Sequence, residues 1–177
     1  PFEGVTIRVL PNGKVAVATG ATTQGQGTQT TLSQIVADHV GCRIEDIVMS
    51  AGDTGKISQG VGAFASRQAI NAGSSAKIAG ENVRGQIVAA AARALGVPEH
   101  EIEVEDGQAF ARGGNKPSIG FGDLARMAQG MPGFSFAAGQ TPGLEHTAYF
   151  TPPQASYCNG THVVEVEVDP MTGAVHI

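Results

Sequence analysis

The sequence predicts an α+β fold in which mixed-sheet hairpins pack against one long helix and shorter helices. Three observations predict it. Alternating apolar and polar residues flank tight turns near both ends, the pattern of antiparallel hairpins. A long central segment repeats apolar residues at helical spacing. Hairpins and helices follow one another without the regular strand–helix alternation of a parallel sheet.

At the start, Val5, Ile7 and Val9 alternate with Thr6 and Arg8, Pro11 to Gly13 turn the chain, and Val15 and Val17 resume the alternation. Gly20 to Gly27 is rich in Gly, Thr and Gln and has no apolar period. It runs into Leu32, Ile35, Val36 and Val40, one face of a short helix that Gly41 ends. Ile47 to Met49 is a short strand. A second polar, Gly-rich stretch, Gly52 to Gly62, feeds a helix from Ser66 to Leu95, with Ser66 placed as its N-cap. There Ala72, Ala76, Ala79, Val83, Ile87, Ala91 and Leu95 keep helical spacing. Gly73, Gly80 and Gly85 each cost that helix roughly 1 kcal/mol relative to Ala, so close packing against a neighbouring element is expected. Gly96 and Pro98 close it.

Beyond it, Ile102 to Val104 and Ala109 to Ala111 flank an Asp106–Gly107 turn, another hairpin. A short helix runs from Phe121 to Ala128, starting near Ser118, and Phe134 to Phe136 is a candidate strand. Gly139 to Gly160 is Pro- and Gly-rich and contains Tyr149, Phe150, Tyr157 and Cys158. Val164, Val166 and Val168 then alternate with Glu165, Glu167 and Asp169 before a turn from Pro170 to Gly173. The chain divides accordingly into residues 1–96, with both Gly-rich loops and the long helix, and a smaller α+β unit, 97–177, expected to continue past Ile177.

Composition narrows the function classes. With 41% hydrophobic residues, only 15% charged and 25 glycines, the chain reads as folded, with many tight turns. A net charge of -5 lacks the basic face that a nucleic-acid binder needs to neutralise phosphates. No apolar run approaches the roughly 20 residues that span a bilayer, so no membrane partner is expected. Cys42 and Cys158 are too few for an iron–sulfur cluster or a zinc site; they read as buried thiols in a reducing cytoplasm. His39, His100, His146, His162 and His176 show no metal-ligand spacing, so no protein metal ligand is expected.

Chemistry concentrates in the two Gly-rich loops. In the first, Gly25 and Gly27 alternate with Gln24 and Gln26 just before a helix, followed by Thr28 and Thr30. Glycine lets backbone approach a ligand closely, and the first helical turn leaves N–H groups unpaired, which favours phosphate. The second loop, Ser58 to Arg67, repeats the arrangement with Ala65, Ser66 and Arg67 at the helix entrance, Arg67 being a possible anion clamp. On physics alone the pair suits a polyphosphate or pterin-like ligand or is a pair of ordinary loops. Gly52 to Lys56 is too short for a P-loop, and Gly25–Gln26–Gly27 lacks the third glycine of a dinucleotide fingerprint.

Taken together, Thr23 to Thr28, the Gly52–Asp53–Thr54 run, Phe64 to Arg67 and Val163 to Gly173 resemble, in order, one family. It is the molybdopterin-binding large subunit of the xanthine dehydrogenase, aldehyde oxidase and aerobic carbon monoxide dehydrogenase family, with the carbon monoxide dehydrogenase-like bacterial branch most similar. The resemblance implies part of a molybdenum-cofactor-binding domain of a cytoplasmic oxidoreductase. That enzyme would oxidise or hydroxylate an aldehyde, an N-heterocycle or a carbon monoxide-type substrate. It implies that Gln24, Gly25, Gln26, Gly27, Thr28, Ala65, Ser66 and Arg67 contact the molybdenum cofactor, as molybdopterin or its cytosine dinucleotide form. The metal would be held by the cofactor and not by protein residues. It also implies an iron–sulfur subunit, an FAD subunit, the rest of the large subunit and a homo-oligomeric assembly as partners. The family's catalytic glutamate lies downstream, and Glu145, Glu165 and Glu167 read as solvated, so no catalytic residue is assigned and the isolated piece is expected to be inactive. The alternative is a non-catalytic assembly domain or a phosphate-ligand binding domain.

Overall fold

The computed structural model describes residues 2–113, 117–130, 141–157 and 159–177. Strand β1 (Glu3–Val9) turns into β2 (Val15–Thr19), and the alternation places Val5, Ile7, Val9, Val15 and Val17 on one face, none more than 2% exposed. Cross-strand partners Ile7–Val17 and Val9–Val15 keep the stripe in register. Helix α1 (Thr28–Val40) then carries the chain over that face to β3 (Ile47–Ala51), which pairs parallel to β2. Helix α2 (Gln68–Leu95) lies beside α1 on the same face.

The small residues of α2 set how closely it sits. A Cβ at Gly80 would come within 2.8 Å of the His39 Cβ on α1, and one at Gly73 within 3.3 Å of the Ile35 Cδ1. Close helix–helix approach therefore offsets the backbone cost of these two glycines; nothing in the structure explains Gly85. Val83 and Ile87 are fully buried beneath this contact, each contributing about 1.5–3 kcal/mol of burial. Ser75 Oγ donates to the Glu3 carbonyl at 2.8 Å, and Gln86 Nε2 to the Glu145 carbonyl at 3.0 Å, fastening α2 to the sheet.

A second sheet of β4 (Ile102–Glu105), β5 (Gln108–Ala111) and β6 (Ser118–Gly120) is antiparallel throughout, and α3 (Phe121–Ala128) follows directly. Here the sequence-based expectation needs correcting. Ser118 to Gly120 do not begin the helix but pair with β5, Ile119 opposite Ala109, and the helix starts at the buried Phe121. The Pro- and Gly-rich stretch after Gly139, in which the sequence marked no strand, contains β7 (Glu145–Phe150), which pairs with β1 and completes a first sheet of order β3-β2-β1-β7. Within β7 only Ala148 is buried, so the strand carries almost no apolar period of its own and takes its register from β1. Residues 134–136 and Cys158 lie outside the described residues.

One hydrophobic cluster joins Val5, Ile7 and Val17 of the first sheet, Val36, Val83 and Ile87 of the helices, and Val104 and Leu124 of the later elements. The last hairpin, β8 (Glu167–Val168) and β9 (Val175–His176), pairs over two residues per strand. Val164, Val166, Val168, Val175 and Ile177 are all exposed there. Among the described residues no helix is long and apolar enough to cross a membrane.

Candidate functional site

Strands β2 and β3 are parallel neighbours, so the chain leaves both at the same end of the sheet. The first Gly-rich loop follows β2 into α1 and the second follows β3 into α2, which brings two helix N-termini side by side. Crevices beyond the carboxyl ends of parallel strands are where open sheets take ligands. The loops meet tightly at their base: a Cβ at Gly20 would lie 2.7 Å from the Gly60 Cα and 2.8 Å from the Glu3 Oε1.

A residue that the sequence did not single out ties the loops together. Gln68, the first residue of α2, accepts from Gln26 Nε2 at 2.8 Å and Thr28 Oγ1 at 2.6 Å, and its Nε2 donates to the Thr22 carbonyl at 2.6 Å. Gln24 Nε2 reaches the Ala63 carbonyl at 3.4 Å, and the Gln24 backbone N–H donates to Gln26 Oε1 at 2.6 Å. The glutamines and Thr28 are thus brought together with the second loop, and the cross-links are neutral.

Both helices are entered through a residue of positive φ followed by helical backbone. Gly27 precedes α1 with φ 73° and ψ 26°. Ahead of α2, Ala65 and Ser66 have φ of 52° and 54°, and Arg67, with φ −96° and ψ −14°, is the N-cap. Ser66 is therefore not the cap the sequence suggested, and neither helix has a side-chain cap hydrogen bond. Left-handed backbone in residues with a Cβ costs on the order of 1–3 kcal/mol each and persists only where its surroundings enforce it. Such turns aim successive N–H groups into one concavity, a common anion-binding device. Beside Gly25, Gly27 and Gly62 a Cβ would meet nothing within 4 Å, so the loops border open space.

Beneath the second loop lies a buried ion pair. Glu3 is 0% exposed and Arg67 7% exposed, with Arg67 Nη1 3.2 Å from Glu3 Oε2. The same carboxylate oxygen accepts from the Val61 and Gly62 amides at 3.2 and 3.0 Å. Arg67 also donates to the Gly62 carbonyl at 2.6 Å and to the Phe2 carbonyl, and sits 5.1 Å from the Phe64 ring centroid. In this structure the Arg67 charge is paired with Glu3 from below the loop. Its Nε is buried and finds no hydrogen-bond partner among the described residues. Glu3 was legible in principle: it stands in phase with Val5, Ile7 and Val9, a carboxylate at the head of an inward-facing stripe.

Elsewhere the groups are structural. Cys42 is 7% exposed, and burial, helped by Asp46, pushes its thiol up to about 11, so it stays protonated and inert. Asp53, at the start of the second loop, is held below the usual carboxylate value by the Gly55 amide and Lys56. A shallow hollow of about 530 Å³ lies on the uncovered face of the first sheet, lined among others by Thr6, Arg8, Ser50, Lys56 and Glu145. It is lined by strand residues of that sheet and, at one edge, by Gly55, Lys56 and Ser58 of the second Gly-rich stretch. Among the described residues no group of three His, Cys, Asp or Glu could hold a metal ion.

Comparisons with known proteins converge. A family model described as a molybdopterin cofactor-binding domain matches residues 1–177. The chain is 37% identical to the nicotine 6-hydroxylase large subunit of Paenarthrobacter nicotinovorans, covering 99% of this chain and 21% of that protein. It is 32% identical to the carbon monoxide dehydrogenase large chain of Hydrogenophaga pseudoflava, again over 99% of this chain and 21% of that one. The crystal structure of quinoline 2-oxidoreductase from Pseudomonas putida 86 superposes with a TM-score of 0.73 at 34% identity, covering 86% of this chain and 19% of that one. The chain thus spans about a fifth of the length of the relatives it matches.

Proposed function

The chain belongs to the molybdopterin cofactor-binding domain family, and from that premise we propose that its two Gly-rich loops are the seat of the cofactor. Gln24, Gly25, Gln26, Gly27 and Thr28 contact it from the first loop, and Ala65 and Ser66 from the second. Arg67 shapes the second from below. The observation that carries this is the pair of left-handed entrances, Gly27 and Ala65–Ser66, aimed from two adjacent helix N-termini.

The residues present fit such a group. A phosphate finds uncapped first-turn amides and two favourable helix dipoles, and a pterin's ring edge finds the amides of Gln24 and Gln26 as neutral donors and acceptors. The open space beside Gly25, Gly27 and Gly62 admits it, and any side chain there would fill that space. When bound, the cofactor supplies molybdenum redox chemistry; the protein binds, orients and shields it.

At the level of the whole protein, the proposal is a molybdenum hydroxylase subunit acting on an aldehyde, an N-heterocycle or a carbon monoxide-type substrate in the cytoplasm. Iron–sulfur and FAD subunits serve as its electron acceptors in a homo-oligomeric complex, and the cofactor is in its plain or cytosine dinucleotide form. The piece spanning these residues turns over none of these substrates alone. The test is molybdenum and pterin content per full-length subunit, purified with its partners. Gly27→Val should abolish occupancy, and Gln26→Ala and Ser66→Ala should lower it. Wild-type protein without molybdenum or pterin, or unchanged occupancy in all three variants, contradicts the proposal.

A further inference from the structure

Between Gly62 and Arg67 the second loop makes a closed excursion whose two ends are held by one carboxylate. Glu3 Oε2 accepts from the Val61 and Gly62 amides at one end and from the Arg67 guanidinium at the other, while Arg67 returns a bond to the Gly62 carbonyl. Ala65 and Ser66 lie within that excursion at positive φ. Their backbone is therefore under strain that no local glycine relieves, and something rigid must enforce it. Glu3 is suited to do so. It belongs to β1, the strand flanked by β2 and β7, is wholly buried, and is fixed by its own Gly4 amide at 3.2 Å. Ser75 of α2 holds its carbonyl. Gly20 and Gly60 crowd the carboxylate: a Cβ at either would lie 2.8 or 3.0 Å from its Oε1, which leaves it little room to swing away.

We propose that Glu3 is a positioning residue for cofactor binding: its carboxylate shapes the second loop so that Ala65 and Ser66 present their backbone to the ligand. This rests on the cofactor seat proposed above. Glu3 touches no ligand itself, so its effect reaches the cofactor only through Val61, Gly62 and Arg67. A plain ion pair would need only opposite charges, whereas this one needs an acceptor at the Glu3 position for two amides as well.

The experiment uses the full-length subunit, purified with its partners, as wild type, Glu3→Gln, Glu3→Leu and the exchanged pair Glu3→Arg/Arg67→Glu. Molybdenum and pterin content are read alongside hydrogen exchange of the backbone amides. Occupancy should fall about tenfold in Glu3→Gln, the low end of what loss of a supporting partner costs a bound group, and further in Glu3→Leu. Exchange at Val61 and Gly62 should rise while the middle of α2, around Ala79 to Ala91, stays protected. The exchanged pair should not restore occupancy. Wild-type occupancy in Glu3→Gln and Glu3→Leu, rescue by the exchanged pair, or loosening spread evenly through α1 and α2 would each overturn the proposal. If wild type holds no cofactor, the functional proposal fails instead, and protected Val61 and Gly62 amides in Glu3→Leu would separately overturn the role of Glu3 in shaping the loop.

Discussion

The two Gly-rich loops do the same geometric job by different means. The first enters α1 through glycine at Gly27 and is held by neutral bonds among Gln24, Gln26, Thr28 and Gln68. The second enters α2 through Ala65 and Ser66, strained at positive φ, and is held by a buried charge pair. Neutral amide and hydroxyl bonds of this kind contribute about 0.5–1.5 kcal/mol each. A buried ion pair cannot be broken without leaving a charge uncompensated, at about 3–5 kcal/mol. The first loop is thus held by bonds that are individually weak, the second by a pair that is costly to break.

Arg67→Ala tests the charge-paired loop and carries the largest expected effect. It strands the Glu3 carboxylate and should destabilise the full-length subunit by about 3–5 kcal/mol, read as a lowered midpoint in urea. A loss under about 1 kcal/mol, the range of an exposed pair, would erase the contrast between the loops.

Gln68→Ala tests the loop held by neutral bonds. It removes the bonds to Gln26, Thr28 and Thr22 and should cost about 1–3 kcal/mol. Hydrogen exchange over residues 22–28 should quicken while Val61 and Gly62 keep their protection. Equal loosening of both loops would mean that they form one unit.

The smallest effect concerns Asp53, which closes the first turn of the second loop through the Gly55 amide at 3.0 Å. Its carboxylate is depressed below the ordinary 3.8. The stabilisation is therefore present above 3.8 and lost as pH falls through the lower folded value. The Gly55 amide resonance should titrate with a midpoint below 3.8, with Val61 and Gly62 unmoved. A midpoint at or above 3.8 would remove the turn from the account.

How much was legible follows from where the physics is local. Gly27 and Gly41 mark both ends of α1 because left-handed backbone at a helix end favours glycine, and the alternation of Val5, Ile7 and Val9 placed β1 correctly. Ser66 misled because a serine before a helix suggests a cap, while its backbone has positive φ and the cap falls one residue later, at Arg67. β7 was hidden because its register is imposed by β1 and not by its own pattern. Val164, Val166 and Val168 repeat the alternation of β1 yet are exposed where Val5, Ile7 and Val9 are buried. Alternation predicts an extended strand; burial depends on what packs upon it.

The central claim, that both loops seat one cofactor, is tested most directly by a crystal structure of the cofactor-loaded full-length subunit. It should place the cofactor's phosphate against the backbone amides that follow Gly27 and Ser66, with Arg67 still paired to Glu3. Density for the cofactor elsewhere, such as the hollow lined by Arg8, Lys56 and Glu145, would contradict it.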